Sequence, residues 1–165
     1  MRILGIDPGL QRTGWAVIAL DRFRAAVIEA GIVSTRAGDS PERRLQEIHR
    51  GLGQVIEELK PEVAVVEALY SHYQHPRTAI LMGHARGVIF LAAAERNLPV
   101  QSYSATRIKK ALTGNGRASK LQVQKTVQTV FGLPRLPEPA DVADALAVAL
   151  CHAHTLGGVA RRSGR

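Results

Sequence analysis

Four carboxylates in this 165-residue chain stand where a fold can hold them rigidly and close together. Asp7 closes the apolar run Ile3-Leu4-Gly5-Ile6, and Glu67 closes the run Val63-Ala64-Val65-Val66. Both runs read as buried strands, and in sheets flanked by helices reactive groups gather just beyond the strand ends. Asp141 and Asp144 follow in the first turn of the last helical segment, spaced i,i+3, so both leave one helix face. Oxygen-only donors of this kind suit a hard cation such as Mg²⁺ and need no cysteine or histidine. Two such ions roughly 3.5–4 Å apart can neutralise the attacking and leaving oxygens of a phosphodiester and lower the pKa of the attacking water. Metal-assisted phosphodiester hydrolysis is the chemistry open to these residues.

Taken singly, each acid has an ordinary explanation. Asp7-Pro8-Gly9 is a good turn sequence, and Glu67 is compatible with a surface acid at a strand end. Asp141 and Asp144 would complement the positive end of a helix dipole. Their company changes the weighing, because they lie in a strongly basic chain. The formal net charge is +8 and the pI about 10.4, which points to a polyanionic partner. Between Glu95 and Glu138 there is no acid, while Arg96, Arg107, Lys109, Lys110, Arg117, Lys120, Lys125 and Arg135 supply eight positive charges. A solvated face mixes signs, so this one-sided stretch favours phosphate contact. It also offsets the repulsion an acidic pocket would exert on a nucleic-acid backbone.

The elements that must position these residues are legible in outline. Arg2 to Asp7, Gly14 to Leu20 and Ala25 to Ser34 read as a three-strand meander, broken first at Pro8-Gly9. Ser40-Pro41 opens a helix, with the hydroxyl as cap and proline at its first position. Leu45, Ile48, Leu52, Val55, Ile56 and Leu59 form its apolar face, and Pro61 stops it. The strand ending at Glu67 leads into a polar, aromatic loop over residues 68–76 and a helix from Arg77 to Arg96. A short strand from Pro99 to Tyr103 follows, then helices capped by Ser104 and Ser119, a proline-bounded linker over residues 133–139, and a last helix from Ala140. Strands in a meander followed by strands alternating with helices argue an α/β fold with a mixed sheet, antiparallel in its first three strands and parallel beyond, flanked by helices. Residues 1–156 are expected to form one domain and 157–165 a flexible basic tail.

With these motifs in order, the chain resembles the RuvC family of bacterial Holliday-junction resolvases, within the ribonuclease H-like superfamily. Leu4-Gly5-Ile6-Asp7-Pro8-Gly9 with Thr13-Gly14 resembles the family's opening. Val66-Glu67, Gly83 to Val88, Lys120 to Gln124 and Ala140 to Ala147 resemble its later motifs. The resemblance implies a Mg²⁺-dependent endonuclease with two ions per site, Mn²⁺ being an alternative, and Asp7, Glu67, Asp141 and Asp144 as the catalytic and metal-binding tetrad. It places Lys109 and Lys120 beside the scissile phosphate, and Arg77, Lys110 and Arg117 complete the expected DNA-contacting set. Tyr70 stands where family members often carry a phenylalanine that stacks at the junction's exchange point; packing on its own domain is the alternative. The implied partners are four-way junction DNA, a second copy of the chain, and the branch-migration proteins RuvA and RuvB. Two competing readings stay open, a related nuclease acting on RNA–DNA hybrids and a junction-binding module without catalysis.

Other features carry less. Cys151-His152-x-His154 crowds three ligand types onto one helix without a fourth, and reads as core or helix-end packing. His72 and His75 read as surface or DNA-facing, and Trp15 as core. Thr113-Gly114-Asn115-Gly116 lacks the lysine–hydroxyl pair of a phosphate-binding loop. The row Ala79, Gly83, Gly87 at i,i+4 spacing either packs on the chain's own sheet or lets a second copy approach; the resemblance favours the second. Cys151 is the only cysteine, the opening residues read as no signal peptide, and no apolar run approaches the ~20 residues of a membrane helix. A cytoplasmic, membrane-free protein is expected.

Overall fold

A computed structural model describes residues 1–22, 24–68 and 76–157. Tyr70, His72, His75 and the arginines beyond Gly157 lie outside the described residues. Strands β1 (Arg2–Asp7), β2 (Arg12–Asp21) and β3 (Arg24–Ser34) precede α1 (Pro41–Leu59), β4 (Val63–Glu67) and α2 (Pro76–Ala94). Strand β5 (Val100–Tyr103), α3 (Ala105–Thr113), α4 (Lys120–Phe131) and α5 (Ala140–Thr155) complete the order. The sheet runs β3-β2-β1-β4-β5, antiparallel through the meander and parallel from β1 to β4 to β5. This is the mixed sheet read from the sequence, with β2 starting two residues before the expected Gly14.

Side chains alternate across a strand, and that alternation sorts the core into two layers. Ile3, Ala16, Ile18, Val63 and Val65 pack with α3, α4 and α5 on one face. Leu4, Ile6, Trp15, Val17, Ala64 and Val66 pack with α1 and α2 on the other. Asp7 shares the parity of Ile3, and Glu67 that of Val63 and Val65. Both acids therefore leave the sheet on the α5 side. Trp15 is core, as expected.

Helix α5 lies unusually close to this face. A Cβ on Gly5 would overlap the Ala145 carbonyl oxygen and the Ala149 backbone, and one on Gly14 would overlap the Asp141 carbonyl oxygen. Glycine inside a strand commonly marks such close backbone approach. Nearly all of α5 from Val142 to Ala153 is buried, with small alanines against the sheet. Cys151 and His152 are part of that buried surface, and Tyr103 Oη meets His152 Nδ1 at 2.8 Å. The Cys-His-x-His segment is thus packing, as its spacing suggested.

Local signals set most helix ends. Ser104 accepts from the Arg107 amide, and Ser119 makes a full capping box with Gln122. Ser40 does not cap α1 through its side chain. Its hydroxyl hydrogen-bonds the Glu42 carboxyl and lowers that group's pKa.

The tight seating of α5 yields a stability prediction. Gly5→Ala forces the helix off the sheet and costs roughly 1–3 kcal/mol or more. A drop in the urea midpoint at unchanged slope is the expected result; an unchanged midpoint would show that the helix relaxes freely.

Candidate active site

Strand register brings the first two acids side by side. Ile6 pairs with Val66 in parallel register, so Asp7 and Glu67 end adjacent central strands. Asp7 pairs on its other side with Gly14, the residue on which the Asp141 backbone rests. The first turn of α5 therefore sits directly over the β1 end, and Asp141 and Asp144 join Asp7 and Glu67 at one place. Thr13 Oγ1 donates to the Gly9 carbonyl at 2.7 Å and ties down the turn that follows Asp7.

The four acids are also coupled electrostatically. Burial, followed by the charges of Asp144, Glu67 and Asp141, raises the Asp7 pKa from 3.8 to about 7, against the lowering by Lys120. Glu67 is raised by burial and by Asp144, and lowered by Lys109 and Lys120. Lys120 Nζ donates to Asp144 Oδ2 at 2.6 Å, and this bond raises the lysine pKa. A cavity of about 240 Å³ opens beside Glu67, Lys109, Lys120 and Asp144, floored by Ala105, Ile108, Val123 and Ala147. The sequence reading did not anticipate this apolar floor; the helical spacing of Ile108 and Val123 signals burial only.

Among the described residues no group of three or more acids, histidines or cysteines is drawn tightly enough to hold a metal ion as it stands. The donor chemistry nonetheless fits a hard divalent cation, because four oxygen donors converge and their mutual repulsion is only partly offset by Lys120. Of the expected DNA-contacting residues, Lys109 and Lys120 reach the acids. Arg77, Lys110 and Arg117 are exposed, and the structure does not bring them to the acids.

Acids at the ends of adjacent central strands, completed by the first turn of a helix on the same face, define a nuclease-like site on a ribonuclease H-like fold. The comparisons narrow the class. A sequence model of the family described as "Crossover junction endodeoxyribonuclease RuvC" matches residues 3–152. A relative of that name from Rhodopirellula baltica is 54% identical over 149 residues, covering 90% of this chain and 84% of its own. One from Koribacter versatilis is 44% identical, covering 98% and 97%. The structure of Thermus thermophilus RuvC in complex with Holliday junction substrate superposes with a TM-score of 0.89 at 34% identity, covering 94% of each chain. The chain belongs to the RuvC family.

The raised Asp7 pKa gives a pH-dependent stability with a definite sign. Above about pH 7 Asp7 is ionised in both folded and unfolded chains, so its burial cost is fully present. As pH falls from 7 to below 4 the folded protein takes up the proton first and the cost disappears. Asp7→Asn should therefore raise the metal-free melting temperature at pH 8 by at least ~3 °C, with the gain shrinking towards pH 4. Thermal melts of both proteins across that range check it, and a gain independent of pH would remove the assignment. Mg²⁺ should raise the melting temperature of the wild type more than that of the variant.

Proposed function

We propose that this chain is a structure-selective endonuclease that resolves four-way DNA junctions by paired, metal-dependent hydrolysis during recombination and repair. The observation that carries the reading is the convergence of Asp7, Glu67, Asp141 and Asp144 with Lys109 and Lys120 at one strand end. It occurs in a chain that is 34% identical to a RuvC determined with a Holliday junction.

The four carboxylates would hold two Mg²⁺ ions, or Mn²⁺ in their place. When bound, such ions supply charge neutralisation at the scissile phosphate and a more acidic water. The chain's own residues do the rest. Burial of Asp7 and Glu67 keeps their oxygens pointed inward and poorly hydrated, so an incoming cation replaces repulsion rather than water. Lys120 holds Asp144 in place through its 2.6 Å bond. Lys109 sits on the Glu67 side, so the phosphate meets positive charge from two directions. The exposed cations Arg77, Lys110 and Arg117 add sequence-independent attraction for the backbone, and Tyr70 would stack on a base where the strands exchange.

Paired incision needs two sites, and helix α2 offers the surface that would pair them. Its buried face, Ala85, Ile89, Ala92 and Ala93, covers the sheet. A Cβ on Gly83 or Gly87 would meet nothing within 4 Å, and Ile80, Leu81 and Leu91 are 59%, 40% and 51% exposed. The small-residue row thus leaves its own sheet alone and is free for a second copy. Residues 1–156 act as the single nuclease domain in this reading, with RuvA and RuvB as functional partners and the cytoplasm as the place of action. Among the described residues no helix is long and apolar enough to cross a membrane.

A labelled static junction incubated with Mg²⁺, beside linear duplex and RNA–DNA hybrid, tests the function. Symmetric nicks on the junction alone are expected, and Asp7→Asn should abolish them while junction binding persists. Cleavage of the hybrid but not the junction would overturn the reading, as would an Asp7→Asn protein that cuts at a near wild-type rate. Pairing has its own test. Gly83→Leu, placed on an open surface, should leave the fold intact and shift the sedimenting species from dimer to monomer at micromolar concentration. A wild type that sediments as a monomer there would remove the paired mechanism.

A further inference from the structure

The edge strand β5 carries two guanidinium groups for which the acid site has no use. Arg86 on α2 donates from Nη2 to Ser102 Oγ at 2.7 Å and lies over the Phe90 ring, 4.6 Å from its centroid. Arg107 on α3 lies over the Tyr103 ring at 4.7 Å. Ser102 and Tyr103 are successive residues of β5, so their side chains leave on opposite faces of the sheet. The two arginines therefore flank one point of the sheet's open edge, beside the register pair Glu67–Tyr103. Neither forms an ion pair among the described residues, and all 14 acidic side chains of the chain lie within them. Aromatic stacking fixes each guanidinium plane and leaves N–H groups at its edge, the form in which arginine recognises phosphate.

We propose that Arg86 and Arg107 form a phosphate clamp across the β5 edge that grips the DNA backbone beside the metal-binding acids. The clamp lies one strand outward from Glu67, so it would hold the arm that leads into the site rather than the scissile phosphate itself. Its place on a junction arm rests on the function proposed above; its phosphate chemistry serves any DNA duplex.

The test measures binding of the full-length protein to a labelled four-way junction and to a linear duplex without divalent metal, over a range of salt. Arg86→Gln and Arg107→Gln should each weaken binding roughly fivefold near physiological salt and flatten the log–log salt slope by roughly one unit on both DNAs, and the double variant by about two. Arg86→Lys, which keeps the charge, should keep the slope and lose part of the affinity. Unchanged slopes in Arg107→Gln and the double variant would overturn the clamp. So would weaker binding at an unaltered slope, or an Arg86→Gln protein that sediments as a monomer where the wild type is a dimer, since either gives Arg86 a structural or subunit role. If Arg86→Gln lowers the unfolding midpoint, Arg107→Gln and Arg86→Lys carry the decision. A wild type that binds duplex as well as junction while the variants lose slope would sink the junction reading and leave the clamp standing.

Discussion

Helix α5 and the β1–β2 pair approach so closely that only glycine fits at positions 5 and 14. Everything at the acid site depends on that approach. Asp7 is fixed by the end of β1, but Asp141 and Asp144 reach it only because the α5 backbone can rest on Gly14. A side chain at either glycine would lift the helix and carry two of the four acids away with it. The near-complete burial of α5 and its run of alanines serve the same end, since small side chains let the helix lie flat on the sheet.

The close approach has an electrostatic cost. Bringing four carboxylates under partial burial lifts Asp7 to about 7 and raises Glu67 too, and the Lys120 ammonium on Asp144 offsets only part of this. Native sites tolerate such repulsion where a bound cation relieves it. The basic stretch from Arg96 to Arg135 answers the same problem at longer range. Of its cations Lys109 and Lys120 stand at the acids, and the rest add to the net positive charge that draws a polyanion to the chain.

The two faces of the sheet divide the labour. The α5 face holds the four acids. The α1–α2 face buries a second apolar core, and α2 keeps an uncovered surface of glycines and exposed leucine and isoleucine. At the open edge between the faces stand Arg86 and Arg107, each stacked on an aromatic ring and each without an acidic partner among the described residues. An acid-lined surface, a covered core and an exposed small-residue surface are thus presented around one small sheet.

The sequence by itself determined much of this, because its signals are local. Continuous apolar runs put Asp7 and Glu67 at strand ends, proline and glycine marked the breaks, Ser104 and Ser119 marked helix starts, and i,i+3 spacing put Asp141 and Asp144 together. The ordered motifs also carried the family. Local rules misjudged the Ser40 hydroxyl, which makes no cap hydrogen bond although Ser40 does open the helix. They could not tell whether Gly83 and Gly87 face the sheet or solvent, which of several lysines reaches the acids, or that Arg86 and Arg107 meet at adjacent residues of one edge strand. Those facts join residues tens of positions apart, and only the packing of helices on the sheet fixes their distance. Spacing along a chain gives the direction a side chain takes from its own element; what it meets there is decided by the element packed against it.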